Sequence, residues 1–211
     1  HALTDEGNGM RLLFTPAETP GLDSSLGYDV PRVGIAVDTR PSPGYATRGV
    51  LLRGAWSRYS ERANRPYSFD LEEYEAGVLI PILREQFGLM FRALATMGTP
   101  DEGSTVPIML APMVGSGTTV RGFNNRRFQD NGRMVLNAEY RWRPSRYLDM
   151  AVFYDAGKVA SRVEDLNFKD LESDYGIGFR FGTANSVFFR VEAAFGSRDG
   201  KHFIFRFNNV F

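Results

Sequence analysis

The sequence predicts an all-β fold, a transmembrane antiparallel β-barrel, and three observations carry that expectation. From about residue 32 nearly to the end, apolar and polar residues alternate with a period of two, the spacing of strands with two unlike faces. The second face mixes glycines with isolated Arg, Glu and Asp, as a packed or watery lumen would, where a soluble β-sandwich would carry dense charge. Connections alternate between tight turns and mostly longer loops, the arrangement of outer-membrane barrels, whose short turns face the periplasm.

The totals fit this class. The 211 residues suffice for one domain with a sizeable core. Lys and Arg balance Asp and Glu at 25 each, so no bulk attraction to nucleic acid is expected. Cysteine is absent, and the two histidines, His1 and His202, are too few for the usual imidazole catalytic or metal sites. No run of about twenty apolar residues marks a transmembrane helix, and barrel strands need none, because alternation keeps average hydropathy low. No signal peptide stands at His1, so a processed chain or a fragment is expected.

Residues 1–31 form a polar region rich in Gly, Pro and Asp, with room for one broken strand and a short apolar piece at 10–14. Residues 32–211 form the barrel part. Within it, Val33, Ile35 and Val37 alternate with small or polar residues before the turn 41–44, and 47–59 sets Val50, Leu52 and Trp56 against Thr47, Arg53 and Ser57. A polar loop at 62–66 precedes strands at 68–82 and 87–97, separated by a short turn at 84–86. A long loop, 98–131, follows. The strongest alternation is at 132–143, where Met134, Leu136, Ala138, Tyr140 and Trp142 oppose Arg133, Asn137, Glu139 and Arg141. Strands at 147–158, 174–182, 186–195 and 201–211 complete a count of about nine, with a charged loop at 160–171. Trp56, Tyr59, Trp142 and Tyr147 suit an interfacial aromatic girdle.

Enzymatic readings find little support. The glycine run 115–122 fails the dinucleotide fingerprint, which needs glycine at Val120, and no Gly-Lys-Ser/Thr follows. Asp70, Glu72, Glu73 and Glu75 split between two strand faces, and no serine-hydrolase elbow occurs. The remaining candidates flank the long loop: Glu139 and Asp155 occupy the polar faces of consecutive strands. An inward-folded loop would bring Arg121 to both, its planar fork suiting carboxylates. Spacing alone favours an exposed Arg121 on an outer loop.

Val120-Arg121-Gly122-Phe123, then Leu136-Asn-Ala-Glu139-Tyr-Arg and Phe153-Tyr-Asp155-Ala-Gly157-Lys-Val, resemble the C-terminal barrel of the BamA superfamily, also called the bacterial surface antigen family. Asp38-Thr-Arg40-Pro with Arg48-Gly49, Tyr175-Gly-Ile-Gly178-Phe-Arg180-Phe and Phe189-Arg190-Val-Glu192 fit the same pattern, so the likeness covers about 32–211. The resemblance implies a sixteen-stranded barrel whose sixth extracellular loop enters the lumen, with Arg121 bound to Glu139 and Asp155 beside Gly122 and Phe123. It also implies an assembly signal in the last strand, carried by Gly200, Phe203, Phe205 and the terminal Phe211. About nine strands is odd and near half of sixteen, so the first half of the barrel and the periplasmic POTRA domains of such proteins are expected to lie outside this sequence.

The expected function is that of a non-enzymatic insertion or translocation barrel of the bacterial outer membrane. It would use no metal and no cofactor, and its partners would be outer-membrane lipids, nascent outer-membrane or secreted proteins and other envelope subunits. The alternative is a family barrel acting as anchor or pore for an appended enzyme such as a patatin-like lipase, or as a structural subunit of a larger envelope complex.

Overall fold

The structure, a computed structural model, describes residues 19–22, 24–41, 46–83, 86–182 and 187–207. β1 (Tyr28–Asp29) and β2 (Arg32–Asp38) both lie along β3 (Gly49–Glu61) in a single register, Tyr28 opposite Glu61 and Asp38 opposite Leu51. They form one strand interrupted at Val30-Pro31. Pro31 has no N–H to give to the ladder, while its carbonyl still accepts from the Arg58 N–H at 3.0 Å. The broken strand expected before residue 32 is therefore at Tyr28–Asp29; the apolar piece at 10–14 falls outside the described residues.

From β3 the chain meanders through β4 (Phe69–Ile82) and β5 (Phe87–Pro100), whose ladder runs from Phe69 opposite Pro100 to Ile82 opposite Phe87. The long loop therefore begins at residue 101, not at 98. Gly98 and Pro100 look like strand breakers in sequence, but Gly98 pairs with Leu71, and Pro100 sits at the strand end, where a missing N–H is tolerated. Within the loop, β6 (Met113–Val114) and β7 (Phe128–Gln129) make a small separate ribbon. β8 (Gly132–Ser145) then pairs with β5 and leads to β9 (Leu148–Ala160), β10 (Glu172–Gly182), β11 (Val187–Ser197) and β12 (Gly200–Phe207). All neighbours in this ten-stranded sheet are antiparallel, and among the described residues β2 and β12 are its edges. β2, β4, β8, β10 and β12 end at one rim; the loops 62–68, 101–131 and 161–171 and the turn Arg198–Asp199 lie at the other.

The two faces of the sheet invert the pattern of a soluble protein. Val152, Tyr154, Ile177 and Phe203 are 45–66% exposed, whereas Asp155, Asp174, Arg180 and Glu192 are at most 2% exposed. Apolar side chains thus point outward and charges inward, as in a sheet whose outer solvent is lipid. The inner face is curled, because residues as far apart as Leu51 on β3, Met90 on β5, Arg141 on β8 and Arg190 on β11 line one cavity of about 230 Å³.

Alternation also corrects the aromatic girdle. Trp56, Trp142 and Tyr147 face outward, but Tyr59 stacks on the buried Phe69 at 4.5 Å with Tyr28 edge-on at 5.7 Å. Its parity with Arg53 and Ser57 places it on the inner face. Lipid exposure of the outer face predicts that Val152→Arg destabilises the barrel by about 2–4 kcal/mol in a bilayer. Urea unfolding in lipid vesicles measures this, and a change below about 0.5 kcal/mol, normal for an exposed site in water, would refute the assignment.

Candidate functional site

The loop 101–131 packs on the inner face through its own apolar residues. Val114, Val120 and Phe123 bury against Val135 of β8, with Leu94, Phe128 and Val159 around them, and the rings of Phe123 and Phe128 meet edge-on at 5.3 Å. This cluster sets the depth of the loop, and Arg121 emerges beside it.

Arg121 is 5% exposed and directs four of its five N–H donors to carboxylates. Nε donates to Asp155 Oδ2 at 2.6 Å and Nη2 to Asp155 Oδ1 at 2.8 Å, a bidentate fork on β9. Nη1 donates to Glu139 Oε1 on β8 and to Glu192 Oε1 on β11, each at 2.8 Å. The guanidinium also lies 3.5 Å from the centroid of the buried Phe153 ring, which the cation favours electrostatically. Glu139 is shared further, accepting from Arg141 Nε at 2.9 Å and Arg180 Nη2 at 2.7 Å.

The loop backbone is held as firmly. The Gly122 N–H donates to Asp174 Oδ2 of β10, and the Ser197 hydroxyl donates to the Gly122 carbonyl. Asn137 Nδ2 donates to the Thr119 carbonyl and to Asp155 Oδ1, both at 2.7 Å. Only glycine fits at 122, since a Cβ there would lie 2.6 Å from the Asp174 Cβ. At the rim, the Asn124 N–H and Arg127 Nε donate to the Asp199 carboxylate of the β11–β12 turn at 3.2 and 3.0 Å.

Of the residues singled out from sequence, Arg121, Gly122, Phe123, Glu139 and Asp155 converge here. Glu192 and Phe153 as partners of Arg121, and Asp174 and Asn137 as holders of the Gly122 and Thr119 backbone, complete the site and escaped sequence reasoning in those roles. Glu192 lies on the polar face of its strand, which was legible, but its approach to Arg121 needs the curl of the sheet. Gly200 opens β12 after the turn, Phe203 and Phe205 face outward from that edge strand, and Phe211 falls outside the described residues. Among the described residues no group of His, Cys, Asp and Glu has metal-site geometry.

Residues 26–209 match the Omp85 superfamily domain. The chain belongs to the Omp85 superfamily. No curated protein sequence matches it significantly. Among solved structures, this Omp85 barrel is similar to the crystal structure of BamA from Haemophilus ducreyi lacking POTRA domains 1–3. The TM-score is 0.65 at 12% identity, over 82% of this chain and 41% of that one. The likeness is one of fold, that of a BamA-like outer-membrane β-barrel, and the chain spans under half the length of that relative.

The loop geometry of this Omp85 barrel has two measurable consequences. Gly122→Ala drives a methyl group into Asp174 and is expected to expose residues 115–127 to protease; digestion at the rate of the parent would show that the site gives way without cost. The Asn124 N–H, and then the Arg127 guanidinium, hold the Asp199 carboxyl below the usual carboxylate range. Because the folded-state pKa is depressed, this anchor is fully present above the unfolded value of about 4 and is lost as pH falls through the lower folded value. Protease sensitivity near residue 124 should therefore rise only below about pH 4, and in Asp199→Asn it should be raised already at neutral pH. Equal sensitivity of parent and variant at neutral pH would remove the anchor.

Proposed function

We propose that the chain works in the bacterial outer membrane as a non-enzymatic insertion or translocation barrel, with the loop carrying Val120 to Phe123 locked in its lumen. The observation that carries this reading is the burial of Arg121 among carboxylates from three separate strands. A cation placed there by chance would be costly, because desolvation offsets most of the attraction, so the arrangement holds only when all its members are present. In this role the outward band of Val, Ile, Tyr and Phe meets the acyl chains of outer-membrane lipids. An incoming strand of a nascent outer-membrane protein pairs with a free edge of the sheet, as in β-augmentation. The edge strand β12 suits such pairing, because its outward face is aromatic, with Phe203, Phe205 and Phe207 exposed, and among the described residues its backbone is paired only with β11.

The locked loop keeps the inner wall rigid while an edge exchanges partners. The role is tested in cells by depleting the parent chain and supplying Arg121→Ala at equal level. Loss of one member of the buried set is expected to cost about 3–5 kcal/mol, less where lumen water screens it, to loosen the loop, and to lower the yield of heat-modifiable, folded outer-membrane proteins. Normal yield together with a protease-sensitive loop would separate the lock from the function and favour a passive anchor or pore. Normal yield with a protected loop would remove the lock itself.

A further inference from the structure

Three arginines that the loop does not use stand side by side on the inner face. Arg180 on β10 is directly opposite Arg190 on β11, which is directly opposite Arg206 on β12. Neighbouring strands are about 4.8 Å apart, so three guanidiniums crowd into roughly 10 Å. Like charges placed opposite one another destabilise a sheet unless something neutralises them.

The protein's own carboxylates do this only in part. Glu192 is nearest, but its Oε1 is drawn to Arg121 at 2.8 Å and stays 3.8 Å from Arg180 Nη2 and 3.9 Å from Arg190 Nε. Its Oε2 is 3.7 Å from Arg206 Nη2. These distances exceed hydrogen-bond range. Asp149, opposite Arg180 on β9, supplies one further negative charge and makes no hydrogen bond among the described residues. Arg180, whose side chain is 1% exposed, spends Nη2 on Glu139. Its Nε and Nη1, with Arg190 Nε and Arg206 Nη2, have no hydrogen-bond partner among the described residues. Buried donors left unused are costly, and a guanidinium cluster with unpaired N–H donors suits an oxyanion.

There is room for such a ligand. Arg180 and Arg190 line the cavity of about 230 Å³, and Arg190 and Arg206 line a second of about 300 Å³ beneath Gly117, Thr118 and Thr119 of the loop. The tip of Arg206 lies close against the loop at Gly117, where a Cβ would stand 2.5 Å from its Nη2. We propose that the ladder Arg180, Arg190 and Arg206 is a lumenal binding site for a tetrahedral oxyanion of the phosphate type, free or as the phosphomonoester headgroup of a lipid. It shares with the loop lock the contact between Arg121 and Glu192 but needs no role of the loop in assembly, so loss of oxyanion binding and loss of the assembly role are told apart by separate measurements.

The test uses the full chain, folded in phosphate-free detergent micelles and titrated calorimetrically at constant ionic strength. One arm adds inorganic phosphate and the other short-chain phosphatidic acid. Saturable binding is expected, weakened about tenfold or more in the double variant Arg190→Gln/Arg206→Gln. It should be unchanged in Arg53→Gln, which removes a half-exposed arginine 3.5 Å from Glu75 on the same face. Binding of phosphatidic acid alone assigns the site to lipid; binding of inorganic phosphate assigns it to the free ion. No saturable binding of either probe, or an equal loss in Arg53→Gln, overturns the proposal. Should the double variant fail to fold, phosphorus NMR on the parent decides: sulfate must displace phosphate where an equal excess of chloride does not, and equal displacement by chloride overturns the site.

Discussion

A guanidinium withdrawn from water must be matched by carboxylates, and in this barrel that requirement ties the loop to the sheet. Arg121 reaches Asp155 with two parallel hydrogen bonds and splits Nη1 between Glu139 and Glu192. Glu139 and Glu192 belong to β8 and β11, which are separated by β9 and β10. One nitrogen can touch both only if the sheet curls around it and the registers of β8, β9, β10 and β11 agree. A slip of one residue in any of those ladders would turn a carboxylate outward to the apolar face. The cluster therefore acts as a check on register and curvature as well as on the position of the loop, and the apolar packing of Val114, Val120 and Phe123 against Val135 supplies the depth at which it operates.

The same sheet divides its environment. Its outer surface is a continuous apolar band, while its inner surface carries charges that satisfy one another or face cavities. A hydrocarbon solvent explains both faces at once, since apolar groups gain nothing by hiding from lipid and every backbone group must be paired within the protein. Membership of the Omp85 superfamily and the fold shared with BamA from Haemophilus ducreyi agree with that division.

Much of this was legible in the sequence because a strand's period of two assigns faces without reference to anything distant. The split of Met134, Leu136 and Ala138 from Asn137, Glu139 and Arg141 is found in the structure as outer and inner faces of β8. Boundaries were less legible: Gly98 and Pro100 carry breaker chemistry, yet pairing with β4 keeps them in the ladder. Tyr59 misled because aromatic residues near strand ends suit a girdle, whereas its parity and its stack on Phe69 place it inside. Glu192 and Asp174 were beyond sequence reasoning as loop partners, because parity says which face a residue takes but not which distant strand curvature brings near. Arg121 itself was assigned inward by the family resemblance, since spacing allowed the opposite.

The interruption at Pro31 and the path of the sheet have a further consequence. Counting β1 and β2 as one strand, eight antiparallel steps separate the two edges, so β2 and β12 run in the same direction, from the loop-bearing rim to the short-turn rim. Brought directly together they would pair in parallel, with slanted hydrogen bonds and a slightly weaker ladder. A closed wall in which every seam is antiparallel instead takes an odd number of additional strands, and the first and last of these run upward against β12 and β2. Among the described residues this sheet contributes an odd share, so its complement in an all-antiparallel cylinder, which closes only on an even total, is odd as well.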